Sequence, residues 1–191
     1  MAKSLSTEET VILLERLGRL VRAREHGADL NPAQWEALRY LSRCNGFSNS
    51  PAALTNYLGA TKGTVSQTLI ALERKGLITK APRPDVARSV ALFLTDQGRT
   101  KLSEDPWSQV QQVLESLKPK HAQKLSSGIE TLVGKLFKVE NVPSYGVCTT
   151  CRYFREGGAP DSIKGKHWCL QFDALVTKSE AKKICASHDI A

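Results

Sequence analysis

"TKGTVSQTLIALERKGLITKAPRPDVARSVALFLTDQGR", residues 61–99, switches its hydrophobic period halfway along. Over Thr61–Leu77 the apolar positions Val65, Leu69 and Leu72 recur at helical spacing, Thr61 is placed to cap and Gly76 to stop. From Leu77 the pattern has apolar ends, a middle rich in Pro and Arg, and a return run "VALFL". That is a hairpin with a long basic tip, and "TDQGR" then resumes helix behind Thr95.

Upstream, "SPAALTNYLG" offers Ser50 as a cap, Pro51 in the first turn and Gly59 as a stop. A short helix, a Gly-containing turn and a second helix make a helix-turn-helix. Before it, "NPAQWEALRYLSR" repeats the device with Asn31 and Pro32. "STEETVILLERLGRLVRAREHG" starts on a capping box, Ser6 with Glu9, and stops at Gly27. Its wide stripe of Val11, Leu13, Leu14, Leu17, Leu20 and Val21 exceeds what a small lobe can cover. Downstream, a helix from Asp105-Pro106 to about Leu117 precedes a long one with Leu125, Ile129, Leu132 and Leu136 on one face. "VENVPSYG", residues 139–146, reads as a linker.

The fold class is mainly α, strictly α+β: a winged helix-turn-helix with flanking dimerisation helices and a small cysteine-rich C-terminal metal-binding appendage. The expected divisions are 1–138, the linker 139–146, and 147–191.

The 191 residues carry 27 Lys or Arg against 19 Asp or Glu, a net charge of +8, with 41% apolar and 24% charged residues. That composition argues against wholesale disorder. Residues 61–101 hold eight basic and three acidic side chains, so more than half the excess charge lies in about a fifth of the chain. Concentrated on a helix-turn-helix, such charge points to nucleic acid. No apolar run approaches the ~18 residues of a membrane span, and "MAKSLSTEET" is no export signal, so a cytoplasmic protein is expected.

The stretch 61–99 resembles the multiple-antibiotic-resistance-regulator family, MarR, over roughly residues 7–138. "TVSQTLIALERKGLI", the wing residues Asp85 and Arg88, and the junction "LTDQGR" carry the likeness. The family commonly has its wing Arg one or two residues after the Asp; here Asp85-Val86-Ala87-Arg88 makes the tip longer. The resemblance implies a DNA-binding regulator whose terminal helices interdigitate in a homodimer.

With Val65, Leu69 and Leu72 inward, the opposite face presents Lys62, Thr64, Ser66, Gln67 and, at its border, Thr68. Gln67 suits an adenine edge in the major groove. Thr61, Lys62 and the small hydroxyl residues suit phosphate near a helix N-terminus. Arg83 and Arg88, at the wing tip, suit a narrow minor groove. Half-sites ~34–36 Å apart call for a two-fold dimer on a pseudo-palindromic double-stranded operator.

Four of the five cysteines fall in residues 148–185 as C-x2-C-x17-C-x15-C: Cys148, Cys151, Cys169 and Cys185. In a reducing compartment such a cluster is more often a metal site than a disulfide framework. Zinc ribbons present two close pairs, whereas here one pair is joined by two single cysteines. That suits a [4Fe–4S] cluster, whose corners take ligands from several directions; a closed Zn2+ site is the alternative. "CTTCRYF", "HWCLQF" and "ICASH" resemble the cluster-binding pattern of high-potential iron–sulfur proteins, with His188 where that family tends to carry Trp. His167 and His188 are weaker ligand candidates, and Cys44 reads as a buried spectator thiol.

No Gly-rich phosphate loop, H-E-x-x-H or activated nucleophile occurs, so catalysis is not expected. Redox state or loss of the cluster is expected to act on DNA affinity by shifting the dimerisation helices. Two other readings stay open: a structural zinc site with a small aromatic effector between the dimer helices and the DNA-binding lobe, and an electron-transfer subunit whose winged helix only docks to protein.

Overall fold

The computed structural model describes residues 5–26, 29–83, 89–140, 142, 145–160 and 166–189. Its helices begin where side chains replace missing backbone acceptors. For α1 (Thr7–His26), Ser6 Oγ accepts from Glu9 N at 3.1 Å and Ser6 N donates to Glu9 Oε2 at 2.7 Å. Asn31 and Gln34 form the same reciprocal pair at the start of α2 (Pro32–Arg43). Ser50 caps α3 (Pro51–Leu58) and Thr61 caps α4 (Lys62–Arg74). Between α3 and α4 the chain reverses at Gly59, whose φ of 59° favours glycine.

Strand β1 (Ile78–Pro82) pairs antiparallel with β2 (Val90–Leu94) in the register Ile78↔Leu94 to Pro82↔Val90. Thr95 caps α5 (Asp96–Lys101) and donates to Gly76 O at 2.6 Å, tying the hairpin's end to the end of α4. Gly98 lies so close to the chain that a Cβ there would stand 2.0 Å from Leu77 O. Helices α6 (Ser108–Glu115) and α7 (Pro119–Val139) follow. None of the described helices is long and apolar enough to cross a membrane.

Trp35, Leu38, Tyr40, Leu54, Val65, Leu69, Leu72, Ile78 and Leu92 are buried together and fix α2, α3, α4 and the hairpin as one lobe. Truncating one such leucine to alanine typically costs ~2–5 kcal/mol. A buried ion network adds α1 to this lobe: the Arg39 guanidinium meets Asp105 at 2.9 Å and the Glu25 carboxylate. By contrast Val11, Leu13, Leu14 and Leu17 on α1, and Leu125, Ile129, Leu132 and Leu136 on α7, stand exposed.

The cysteine-bearing segment forms a compact module around a three-stranded antiparallel sheet in the order β3 (Phe154–Arg155), β4 (His167–Cys169), β5 (Ala174–Val176). At the turn into β5, Asp173 adopts φ 46°, and its carboxylate accepts from Trp168 Nε1 at 3.2 Å. The expected linker 139–146 is partly absorbed at both ends. Helix α7 extends to Val139, and Gly146 bridges to Cys185 inside the module.

Candidate functional site

Two sites stand out, a polar helix face and a ring of thiols. On α4, Val65, Leu69 and Leu72 are buried, while Lys62, Thr64, Ser66 and Gln67 are exposed. Thr61 is occupied structurally: its Oγ1 accepts from Thr64 N at 3.2 Å and lies 2.9 Å from Thr64 Oγ1. Thr68 corrects its expected place at the border of that face. Three residues on from Val65 it is carried inward, and its hydroxyl donates to Thr64 O at 2.9 Å. Lys62 and Ser66 share a groove with Lys80 of β1, a cation the sequence reading passed over; Lys80 pairs with Glu73 at 2.7 Å.

Arg83 also departs from expectation. Instead of reaching outward at the wing tip, its guanidinium turns back and donates to Gly46 O at 3.1 Å and to Asn49 Oδ1. Two acceptors on the α2–α3 loop thus hold one terminal nitrogen of a half-buried guanidinium. Asp85 and Arg88 lie outside the described residues.

The four module cysteines line one cavity. Cys148 and Cys151 flank a single helical turn, Cys169 ends β4, and Cys185 is held by its N–H to Gly146 O at 2.9 Å. Phe47, Tyr153, Phe154 and Phe172 form the apolar walls; Gln171 and Ser187 complete the lining. All five cysteines are free thiols. Burial pushes the Cys148 thiol up to about 11, and Cys185, Cys169 and Cys151 nearby add to the rise. Four thiolates crowded together need a positive centre to coexist. Among the described residues, no three His, Cys, Asp or Glu side chains gather closely enough to hold a single ion. The four cysteines thus share a lining without closing on a common centre.

His188 Nε2 lies 2.9 Å from Thr150 Oγ1, and the His167 Nδ1 accepts from Gly157 N at 3.2 Å, so both rings have partners other than the cavity. Cys44 is buried, and burial pushes its thiol up to about 11. The sequence reading missed Phe47, although it lies three residues beyond Cys44 in "CNGFS".

A second cavity, a cleft of about 810 Å³, opens between the lobe and helices α1, α6 and α7. Arg22, Arg39, Arg43, Tyr57, Trp107 and Tyr145 are among its walls.

Residues 28–89, about a third of the chain, match the model of the MarR family. No curated protein matches the chain. Among solved structures, MepR of S. aureus in its DNA-binding conformation is 20% identical with a TM-score of 0.55, over 66% of this chain and 95% of that one. FabT of Streptococcus pneumoniae in complex with DNA is 19% identical with a TM-score of 0.54, over 68% and 96%. A MarR transcriptional regulator of Methanosarcina mazei Go1 is 20% identical with a TM-score of 0.53, over 69% and 96%. The fold of the lobe and its flanking helices is the MarR-type winged helix.

Proposed function

We propose that the protein is a dimeric DNA-binding transcription regulator of the MarR type, acting on a pseudo-palindromic operator and modulated by a [4Fe–4S] cluster. The carrying observation is the exposed face of α4: four hydrogen-bonding side chains, Lys62, Thr64, Ser66 and Gln67, project from a helix held rigid by its buried face. Gln67 reads a base edge while Lys62 and the hydroxyl groups fix register on phosphate. The uncovered apolar faces of α1 and α7 meet their two-fold copies in the dimer and set the spacing of the two α4 helices.

Cys148, Cys151, Cys169 and Cys185 hold the cluster; what supports this is that the four line one cavity and reach it from three separate segments, one close pair and two single cysteines. The cluster, when bound, supplies a redox-active centre that oxygen or reductant can alter. Phe47, Tyr153, Phe154 and Phe172 keep water from it.

Iron, sulfide and zinc content of anaerobically purified protein is the first test, joined to anisotropy titrations on its own promoter DNA over a range of salt. About four irons and four sulfides per chain, with a steep salt dependence, are expected. One zinc per chain would replace the cluster by a structural ion. DNA binding indifferent to salt would favour a docking role in electron transfer.

The large cleft favours a second reading, in which a small aromatic acid is the effector. Arg22 and Arg43 supply cations for a carboxylate, and Trp107, Tyr57 and Tyr145 supply ring faces. Such a ligand would wedge between lobe and dimer helices.

A further inference from the structure

The loop between α2 and α3, residues 44–49, is gripped from two sides. On the module side, Asn45 N donates to Ile184 O at 2.9 Å, Ile184 N to Arg43 O at 2.8 Å, and Ala186 N to Ser48 Oγ at 2.8 Å. Gly46 N donates to the Glu180 carboxylate at 2.6 Å. Ile184 and Ala186 are the two neighbours of Cys185, so that thiol is pinned to this loop through both adjoining residues. Phe47, on the same loop, lines the thiol cavity and stacks on Phe172 with ring centres 4.6 Å apart and planes 5° apart.

On the other side the loop holds the wing. Leu92 N donates to Asn49 O at 2.7 Å, Asn49 Nδ2 donates to Leu92 O at 3.1 Å, and Arg83 reaches Gly46 O and the Asn49 side chain. Leu92 belongs to β2 and Arg83 follows β1, so both arms of the hairpin are anchored here. The next residue, Ser50, caps α3, the first helix of the helix-turn-helix.

We infer that filling the four-thiol site sets the α2–α3 loop, and through it the wing and α3, so that DNA affinity is tuned inside each subunit's own lobe. This places the coupling away from the dimerisation helices, where proximity in sequence to α7 had suggested it. It rests on the reading that the thiols hold a cluster and that α4 meets DNA.

The chain of contacts accounts for how filling the site reaches the loop. Cysteines on three separate segments, bound to one rigid group, keep fixed separations, and Cys185 then presents Ile184 and Ala186 to the loop in one register. Thiols freed of that group have no such constraint, and the rungs at Asn45 and Ser48 loosen. At this junction the Asn45 amide, 1% exposed, has neither its Oδ1 nor its Nδ2 partnered among the described residues, and Arg83 Nε is likewise unpartnered among them. Buried polar atoms in that condition carry a desolvation cost that a shift of the loop can relieve.

The test compares full-length protein loaded with iron and sulfide against the same protein stripped by a chelator, both anaerobic. Amide hydrogen exchange at Asn45, Gly46, Leu92 and Ala186 is expected to slow about tenfold on loading, with α1 and α7 little changed, and operator affinity to shift by about tenfold. Glu180→Ala, which removes the Gly46 acceptor, is expected to keep its iron content while the loaded-to-stripped affinity ratio falls to within about twofold. Glu180→Gln keeps an acceptor oxygen and restores the ratio. Exchange that changes only in α1 and α7, or a full ratio in Glu180→Ala, would overturn the coupling while leaving the regulator intact. A chain that takes up no iron and sulfide, or that ignores DNA in both states, would sink the underlying reading instead.

Discussion

In the winged-helix lobe, Trp35, Leu38, Tyr40, Leu54 and Leu72 are all 0% exposed, whereas the module's buried cluster is Cys148, Cys169, Val176 and Ala181. The lobe is held by apolar volume and close packing. The module devotes half of its small core to thiols, and its remaining walls include Phe47, borrowed from the lobe. So small a segment buries little apolar surface of its own; docking on the lobe supplies part of its order, and the proposed cluster would supply the rest. One chain thus contains a self-sufficient lobe and a dependent attachment. Their dependence runs in one direction.

The sharpest way to break this contrast is to remove a ligand. On the proposed ligand set, Cys169→Ser or exhaustive chelation is expected to unfold the module. Protease sites within 145–189 then open, while the thermal transition of the lobe stays in place. A lobe that melts together with the module would refute the one-way dependence.

The converse substitution is Arg39→Met. It leaves Glu25 and Asp105 buried and unpaired and is expected to destabilise the lobe by ~3–5 kcal/mol in urea. Iron content at native temperatures should be untouched.

The reading face gives a smaller effect confined to DNA. Gln67→Ala is expected to cost ~1–3 kcal/mol of discrimination at one base pair. Lys62→Ala should weaken all sequences alike and lower the salt slope by about 1. Both are read by anisotropy on matched and mismatched duplexes.

Thiol chemistry separates the regions most gently. In iron-free protein at pH 8, roughly one Cys44 in a thousand is thiolate, since burial lifts its thiol to about 11. Iodoacetamide should therefore label the half-exposed Cys151 first and Cys44 last. A thiol raised on folding favours the native state below its ordinary value of about 8.5, and that contribution is lost as pH climbs through 11. Stability of the iron-free chain should accordingly fall over that alkaline window.

What was legible in the sequence was local. Asn31, Ser50, Thr61 and Thr95 each cap the helix expected of them, because a cap is a hydrogen bond to a backbone three residues on. The four cysteines share a cavity as their clustering implied. What escaped was set by contacts across the fold. Arg83 turns inward for an asparagine 34 positions away, and Gly46 finds its acceptor 134 positions on. Thr68 was misplaced by one step around a helix whose faces meet at that residue. The module's seat on the lobe, rather than beside α7, has no signature in spacing or period at all.

The hydrogen bond from Ala186 to Ser48 joins residues 138 positions apart. On a ribosome adding about 5–20 residues per second, the α2–α3 loop emerges roughly seven to thirty seconds before the strip that will clasp it. Domains fold as they appear, so each new molecule spends an early life as a bare lobe, its loop ungripped and its module cysteines not yet made. A cell synthesising this protein quickly therefore holds a young fraction whose lobe is folded and whose α2–α3 loop is not yet clasped, its share set by the rate of synthesis.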